Sequence, residues 1–307
     1  MVRMSSFLFC AVFALSGCAS SSCPEAPEAD VHGLYDLGAD GVFPFPSDRF
    51  TRADDVSPTG LRLALSQPVT PVLAGALELL GGDVQAQLAQ LNDLDGFALR
   101  GPLLMPFDGA LDPASLPQDP AASTDSEASV FLIALDGGGP VPISVELLDW
   151  GEQGQLLVAT PMLGLQPASR YALVATDRLR AADGGRVGPS QDFWTACAAC
   201  EPSAQWLGDP MRAARRRDLQ ALLQVLPGRD ASELVSAGVF TTQEQESSLS
   251  GLWQAVQSAP AFELDLDLDD DGQVDLYEAE QLPDAPEGAL AQENLHRVLK
   301  GAFRFPE

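Results

Sequence analysis

From Asp95 onward the chain repeats one pattern: short apolar runs with a period of two, each closed by Gly, Pro or Asp. The runs are "FALRGPLLMPFD", "SVFLIAL", "ISVELLDW", "GQLLVATP" and "RYALVATDRL", with "ELVSAGVFTTQ" as a later addition. Successive side chains of an extended strand face opposite sides, so such runs suit strands, and turn residues at this spacing suit an antiparallel sandwich over residues 95–245. With 307 residues, 46% of them hydrophobic, the chain is long and apolar enough to bury a core of that size.

The turn around Leu165 and Pro167 should aim Tyr171, Leu173 and Ala175 inward, and "AADGGRV" reads as a glycine turn. A helix is expected over 209–227, with Asp209 as N-cap and Pro210 at the first helical position. Its apolar stripe runs through Met211, Leu219, Leu222, Leu223 and Leu226. The arginine run from Arg212 to Arg217 reads as a solvated helix face. Residues 42–94 read as a wrap around the core: a proline-rich loop, "VFPFPSDRFTRADDVSPTGLRLAL", then two short helices interrupted at Gly81 and Gly82.

The N-terminus reads as an address. Arg3, the apolar stretch "FLFCAVFAL" and "LSGC" give a signal peptide over 1–17, too short to span a bilayer, which takes about 20 residues. LSGC resembles the bacterial lipobox, in which Cys18 would carry a lipid. Residues 18–41 then read as a flexible tether. Of the later cysteines, Cys197 and Cys200 are expected to pair, leaving Cys23 odd.

A net charge of −27 repels phosphate backbones, so nucleic acid is excluded as a partner. No GxSxG elbow, Walker loop, dinucleotide glycine fingerprint or HExxH occurs in the sequence. "GPSQD" around Ser190 lacks the second glycine, and the two histidines, His32 and His296, read as lone surface residues.

The strongest single motif is "DLDDDGQVDLYE". Calcium takes six to eight oxygens, and a twelve-residue loop supplies them from places one, three, five, seven, nine and twelve. Those places hold Asp267, Asp269, Asp271, Gln273 through its carbonyl, Asp275 and Glu278, with Gly272 at the sharp turn. "AFELDL" before the loop alternates as a strand, and "LYEAEQL" after it could form about two helical turns before Pro283. The expectation is a solitary, structural calcium site stiffening a C-terminal extension over 246–307.

The order "FPFPSDRF", "LNDLDGF", "LLMPFDGALDPASL", "LQPASRYALVATDRLRAADGGRVGPS", "VFTT" resembles the N-terminal, Ig-like region of bacterial surface lipoprotein lipases of the virulence-factor type, over about Val42 to Thr242. The resemblance implies an Ig-like antiparallel β-sandwich with helical insertions, followed here by the acidic calcium-loop extension. It also implies a catalytic α/β-hydrolase domain farther on, and "LKGAFRFPE" looks like a strand leading into one. Two readings follow: a lipid-anchored protein of the outer membrane or cell surface, non-catalytic, that binds an extracellular or periplasmic ligand or acts as a spacer; or the non-catalytic front part of a lipase or esterase.

Overall fold

The computed structural model describes residues 23–38, 41–66, 83–197, 200–226 and 228–244, with 253–254, 257–258, 263–265, 276–277, 298–299 and 302–304 farther on. The chain divides into two compact units, Met1–Glu244 and Gln245–Glu307.

The first unit is a β-sandwich with helical insertions. Its first sheet contains β1 (Val31–Gly33), β4 (Leu103–Phe107), β7 (Ile143–Asp149), β8 (Gln155–Pro161) and β10 (Val187–Pro189), in the order β10-β1-β4-β8-β7. The second contains β5 (Val130–Ala134), β6 (Gly139–Val141), β9 (Arg170–Thr176) and β11 (Leu234–Thr241), in the order β11-β9-β5-β6. All neighbours are antiparallel except β10, which runs parallel beside β1. Lettering β1, β4, β8 and β7 as A, B, E and D, and β11, β9, β5 and β6 as G, F, C and C′, gives the immunoglobulin arrangement of two facing sheets. Each alternating run of the sequence becomes one strand.

Two insertions interrupt this order. Between β1 and β4 lie a 3₁₀ turn (Asp48–Phe50), a hairpin of β2 (Thr51–Ala53) with β3 (Leu61–Leu63), and helix α1 (Val84–Leu91). The hairpin stands where an irregular loop was expected, because Gly60, at φ +75°, lets the chain reverse between the two short strands. Between β9 and β11 lie β10 and the helices α2 (Gln191–Cys197), α3 (Ala204–Leu207) and α4 (Pro210–Val225). Helix α4 starts where the sequence placed it: the Asp209 carboxylate accepts from the amides of Met211 and Arg212, and Pro210 occupies the first turn.

Between the sheets, Met105, Phe107, Leu132, Leu157, Leu173 and Phe240 form the main core. A second core lies outside the β11-β9-β5 face, where α2 and α4 lay Phe193, Leu219 and Leu222 against Phe131, Val174 and Val239. Residues 23–38 belong to the fold and not to a tether. Val31, Tyr35 and Leu37 are buried, and β1 pairs on both sides, so the expected flexible stretch 18–41 is replaced by structure from Cys23.

In the second unit, β12 (Glu263–Asp265) pairs antiparallel with β15 (Ala302–Arg304), and β13 (Leu276–Tyr277) pairs antiparallel with β14 (Val298–Leu299). The alternating "AFELDL" does contain a strand. The helix expected to leave the acidic loop at Leu276 does not start there: Leu276 and Tyr277 are in β13, whose backbone pairing competes with helical hydrogen bonds.

Candidate functional site

The motifs whose order marked the sequence turn out to be locks between distant parts of the sandwich. Asp48 of "FPSDRF" is buried, and its two carboxylate oxygens accept from the Thr241 amide at 2.7 Å and the Thr241 hydroxyl at 2.8 Å. Thr241 opens the "TT" of "VFTT", so one motif fastens the insertion after β1 to the end of β11. Burial raises the Asp48 pKa, against the opposing pull of the Thr241 hydrogen bonds and of Arg215. In "LNDLDGF", Asn92 caps the Leu65 backbone on both its amide and carbonyl. Gly96 lies so close to Thr242 and Gln243 that a Cβ there would stand 2.6 Å from their backbone atoms.

In "LQPASRY", the Tyr171 hydroxyl accepts from the Gln166 amide at 2.9 Å. A tyrosine at the start of strand F bonded back to the preceding turn is the tyrosine corner of Ig-like sandwiches. Ala168 within this turn takes φ +47°. The alternation of the run showed that Tyr171 points inward; the corner itself depends on the turn's path and was not read from the sequence.

Several residues singled out by type have structural partners. Ser190 caps α2, accepting from the Phe193 amide and donating to the Tyr35 carbonyl at 3.1 Å. His32 is not a lone surface residue: its Nδ1 lies 3.1 Å from Asp108 Oδ2, and its amide donates to Asp108 Oδ1 at 2.6 Å. The arginine run is not a solvated face either. Arg215 is buried and lies 3.0 Å from Asp218, which also accepts from Arg170 at 2.7 Å. Arg216 donates to the Thr195 and Cys200 carbonyls, and only Arg217 of the last three is exposed. The run turns inward because α4 packs as a cover on a sheet, so more of its circumference is occupied than a surface helix would use.

The expected Cys197–Cys200 disulfide is replaced by Cys23–Cys200, which spans 177 residues. Cys197 is a free thiol, because it sits in the last turn of α2 with its side chain packed into the second core, away from the loop that carries Cys200. Burial pushes its pKa up to about 12, so it is held as an inert thiol.

Two adjoining pockets lie in this unit. The start of β5 lies beside the end of β9 and the start of β11, with Val130 opposite Ala175 and Leu234 opposite Thr176. The connections that leave these strand ends, 108–129 and 177–233, are the B–C and F–G connections of the sandwich, the pair that with C′–C″ forms the binding end of Ig variable domains. Together with β5 and β6 they line a pocket of about 220 Å³. One wall is apolar, with Phe131, Ile133, Pro140 and Leu226. The other is charged, with Arg178 and Arg229 beside Asp125, Glu127 and Glu233. The Arg178–Glu127 ion pair also borders a neighbouring pocket of about 280 Å³ lined by residues of 115–129. No motif points to Arg178 and Arg229, which stand 51 positions apart in turns and meet only through the fold.

The other candidates lie elsewhere. Cys18 and the signal peptide are outside the described residues, as are His296 and the loop ligands Asp267, Asp269, Asp271, Gln273, Asp275 and Glu278. Among the described residues, no group of three His, Cys, Asp or Glu side chains is placed to hold a metal ion, and no helix is long and apolar enough to cross a membrane.

No protein-family model matches the chain, and no curated protein matches it. Among solved structures, it is similar to domains 1–6 of the surface layer protein SbsC at 15% identity and a TM-score of 0.22. The match covers 30% of this chain and 11% of that one. A likeness this slight carries no weight for fold or role.

Proposed function

We propose that this chain is a lipid-anchored bacterial surface lipoprotein in which an Ig-like sandwich serves as a non-catalytic binding module and an acidic loop holds a structural calcium ion. The observation that supports this best is the pocket where the B–C and F–G connections meet β5 and β6, in which two arginines stand among apolar side chains and carboxylates. Ser190 caps a helix, and its hydroxyl donates to the Tyr35 carbonyl and not to a histidine. The anchor and the outer-membrane or cell-surface location rest on LSGC with the short apolar stretch before it, and the calcium on the spacing from Asp267 to Glu278.

The direct test has two arms. Radiolabelled palmitate supplied to cells expressing the full chain should enter the protein and be lost in Cys18→Ser; equal labelling of both removes the anchor. Calorimetry should show millimolar calcium binding that Glu278→Ala abolishes, in the affinity range of extracellular modules, about 10⁻⁴ to 10⁻³ M. Hydrolysis of a short-chain ester by the purified chain would overturn the non-catalytic reading.

A further inference from the structure

The charged wall of the pocket is incompletely paired. Arg178 gives one terminal nitrogen to Glu127, while its Nη1 stands 3.9 Å from Glu233, beyond hydrogen-bond reach. Arg229 lies over the Phe131 ring at 5.0 Å and donates to the Ser126 carbonyl, yet among the described residues it has no carboxylate within ion-pair distance. Burial weakens the hold of Arg229 on its proton, and the neighbouring charge of Arg178 weakens it further. The Nη1 atom of each arginine is buried without an acceptor. A buried donor without a partner is costly, so both guanidiniums gain from an anion that turns them toward the opening.

We propose that this pocket binds a small carboxylate with an apolar body, an aromatic or branched aliphatic acid. The carboxylate bridges Arg178 and Arg229, and the body lies on Ile133, Pro140 and Leu226. Two features select a monoanion over a phosphate. Asp125, Glu127 and Glu233 share the lining with the arginines, and the chain as a whole is strongly negative, so repulsion grows with each added ligand charge. The apolar wall, meanwhile, rewards a body that leaves water. The inference gives the binding half of the proposed function a location and rests on that half alone.

Phenylacetate is a suitable probe, with benzyl alcohol as its neutral counterpart, titrated into the full chain by calorimetry or ligand-observed NMR. Phenylacetate should bind, and benzyl alcohol should bind about tenfold more weakly or not at all. Arg229→Gln should weaken phenylacetate by about tenfold. Glu127→Gln alters a side chain that is 75% exposed, so it leaves the fold intact. It frees Arg178 and should tighten phenylacetate by about threefold. Failure of phenylacetate to bind the native chain, equal binding of the two probes, or an unchanged affinity in Glu127→Gln would each overturn the site. A chain that binds phenylacetate but takes neither lipid nor calcium keeps this site and loses the surface reading; the reverse result removes the site alone.

Discussion

The two sheets of the sandwich are built from the same kind of strand but meet different surroundings. In the sheet of β11, β9, β5 and β6, every residue of β11 is buried and all but the first of β9, because the cores lie on both faces. In the other sheet the inner strand β4 is also buried throughout, with Phe45 packed against its outer side, but the edge strand β7 alternates: Ile143 is buried while Ser144, Glu146 and Leu148 face solvent. The sequences follow: "LVSAGVFT", "RYALVAT" and "LLMPF" are nearly continuous in small and apolar residues, so the period of two read for their runs is weak there, whereas "ISVELLD" alternates. A continuous apolar strand in an antiparallel sheet therefore signals that something covers its outer face, here the helices inserted between β9 and β11.

The sharpest way to break this contrast is to hollow the cover. Leu222→Ala on α4 removes a fully buried side chain between helix and sheet and should cost about 2–5 kcal/mol in chemical denaturation. Unstapling the cover comes next. Cys200→Ser should cost about 2–4 kcal/mol, with amide exchange rising in α2 to α4 and β1 and not in β7 and β8. Peptide mapping of the native protein should recover Cys23 joined to Cys200; a Cys197–Cys200 peptide would refute the pairing.

A smaller effect is expected where the insertion after β1 is fastened to β11. Asp48→Ala leaves the Thr241 amide without an acceptor and should cost about 1–3 kcal/mol. Asp48→Asn keeps an acceptor for that amide and removes the buried charge, so it should stay within about 1 kcal/mol of the native protein at neutral pH. Because the folded pKa of Asp48 is raised, the folded state binds its proton more readily than the unfolded state does. The charge burden is thus fully present above the folded pKa and is relieved as pH falls from there toward the ordinary carboxylate value. Relative to Asp48→Asn, the native protein should gain stability across that acidic window, measured by parallel melts; a widening gap would contradict the buried carboxylate. Smallest of all, Leu148→Ala on the open face of β7, at a position 43% exposed, should change stability by less than about 0.5 kcal/mol.

How far the fold was legible follows from the range of each interaction. Strands and the α4 N-cap are written in neighbouring residues, so period and capping revealed Tyr171, Leu173 and Ala175 as inward-facing and Asp209 as a cap. The roles of Asp48 and Cys23 are set by partners far away in sequence: Thr241 lies 193 positions from Asp48, and Cys200 lies 177 from Cys23. Local spacing favoured Cys197 for Cys200 because it could not show that Cys197 points into the core. The pocket arginines were invisible for the same reason, as each sits in an ordinary turn.

The bridge from Cys23 to Cys200 also decides how the fold bears mechanical load. Tension on the residues before Cys23 divides there: part passes through sulfur into the segment that leads to α3 and α4, and the rest runs along the backbone to β1. Without that shunt the whole tug would fall on the pairing of β1 with β4 and β10; with it, the helical shell shares the load.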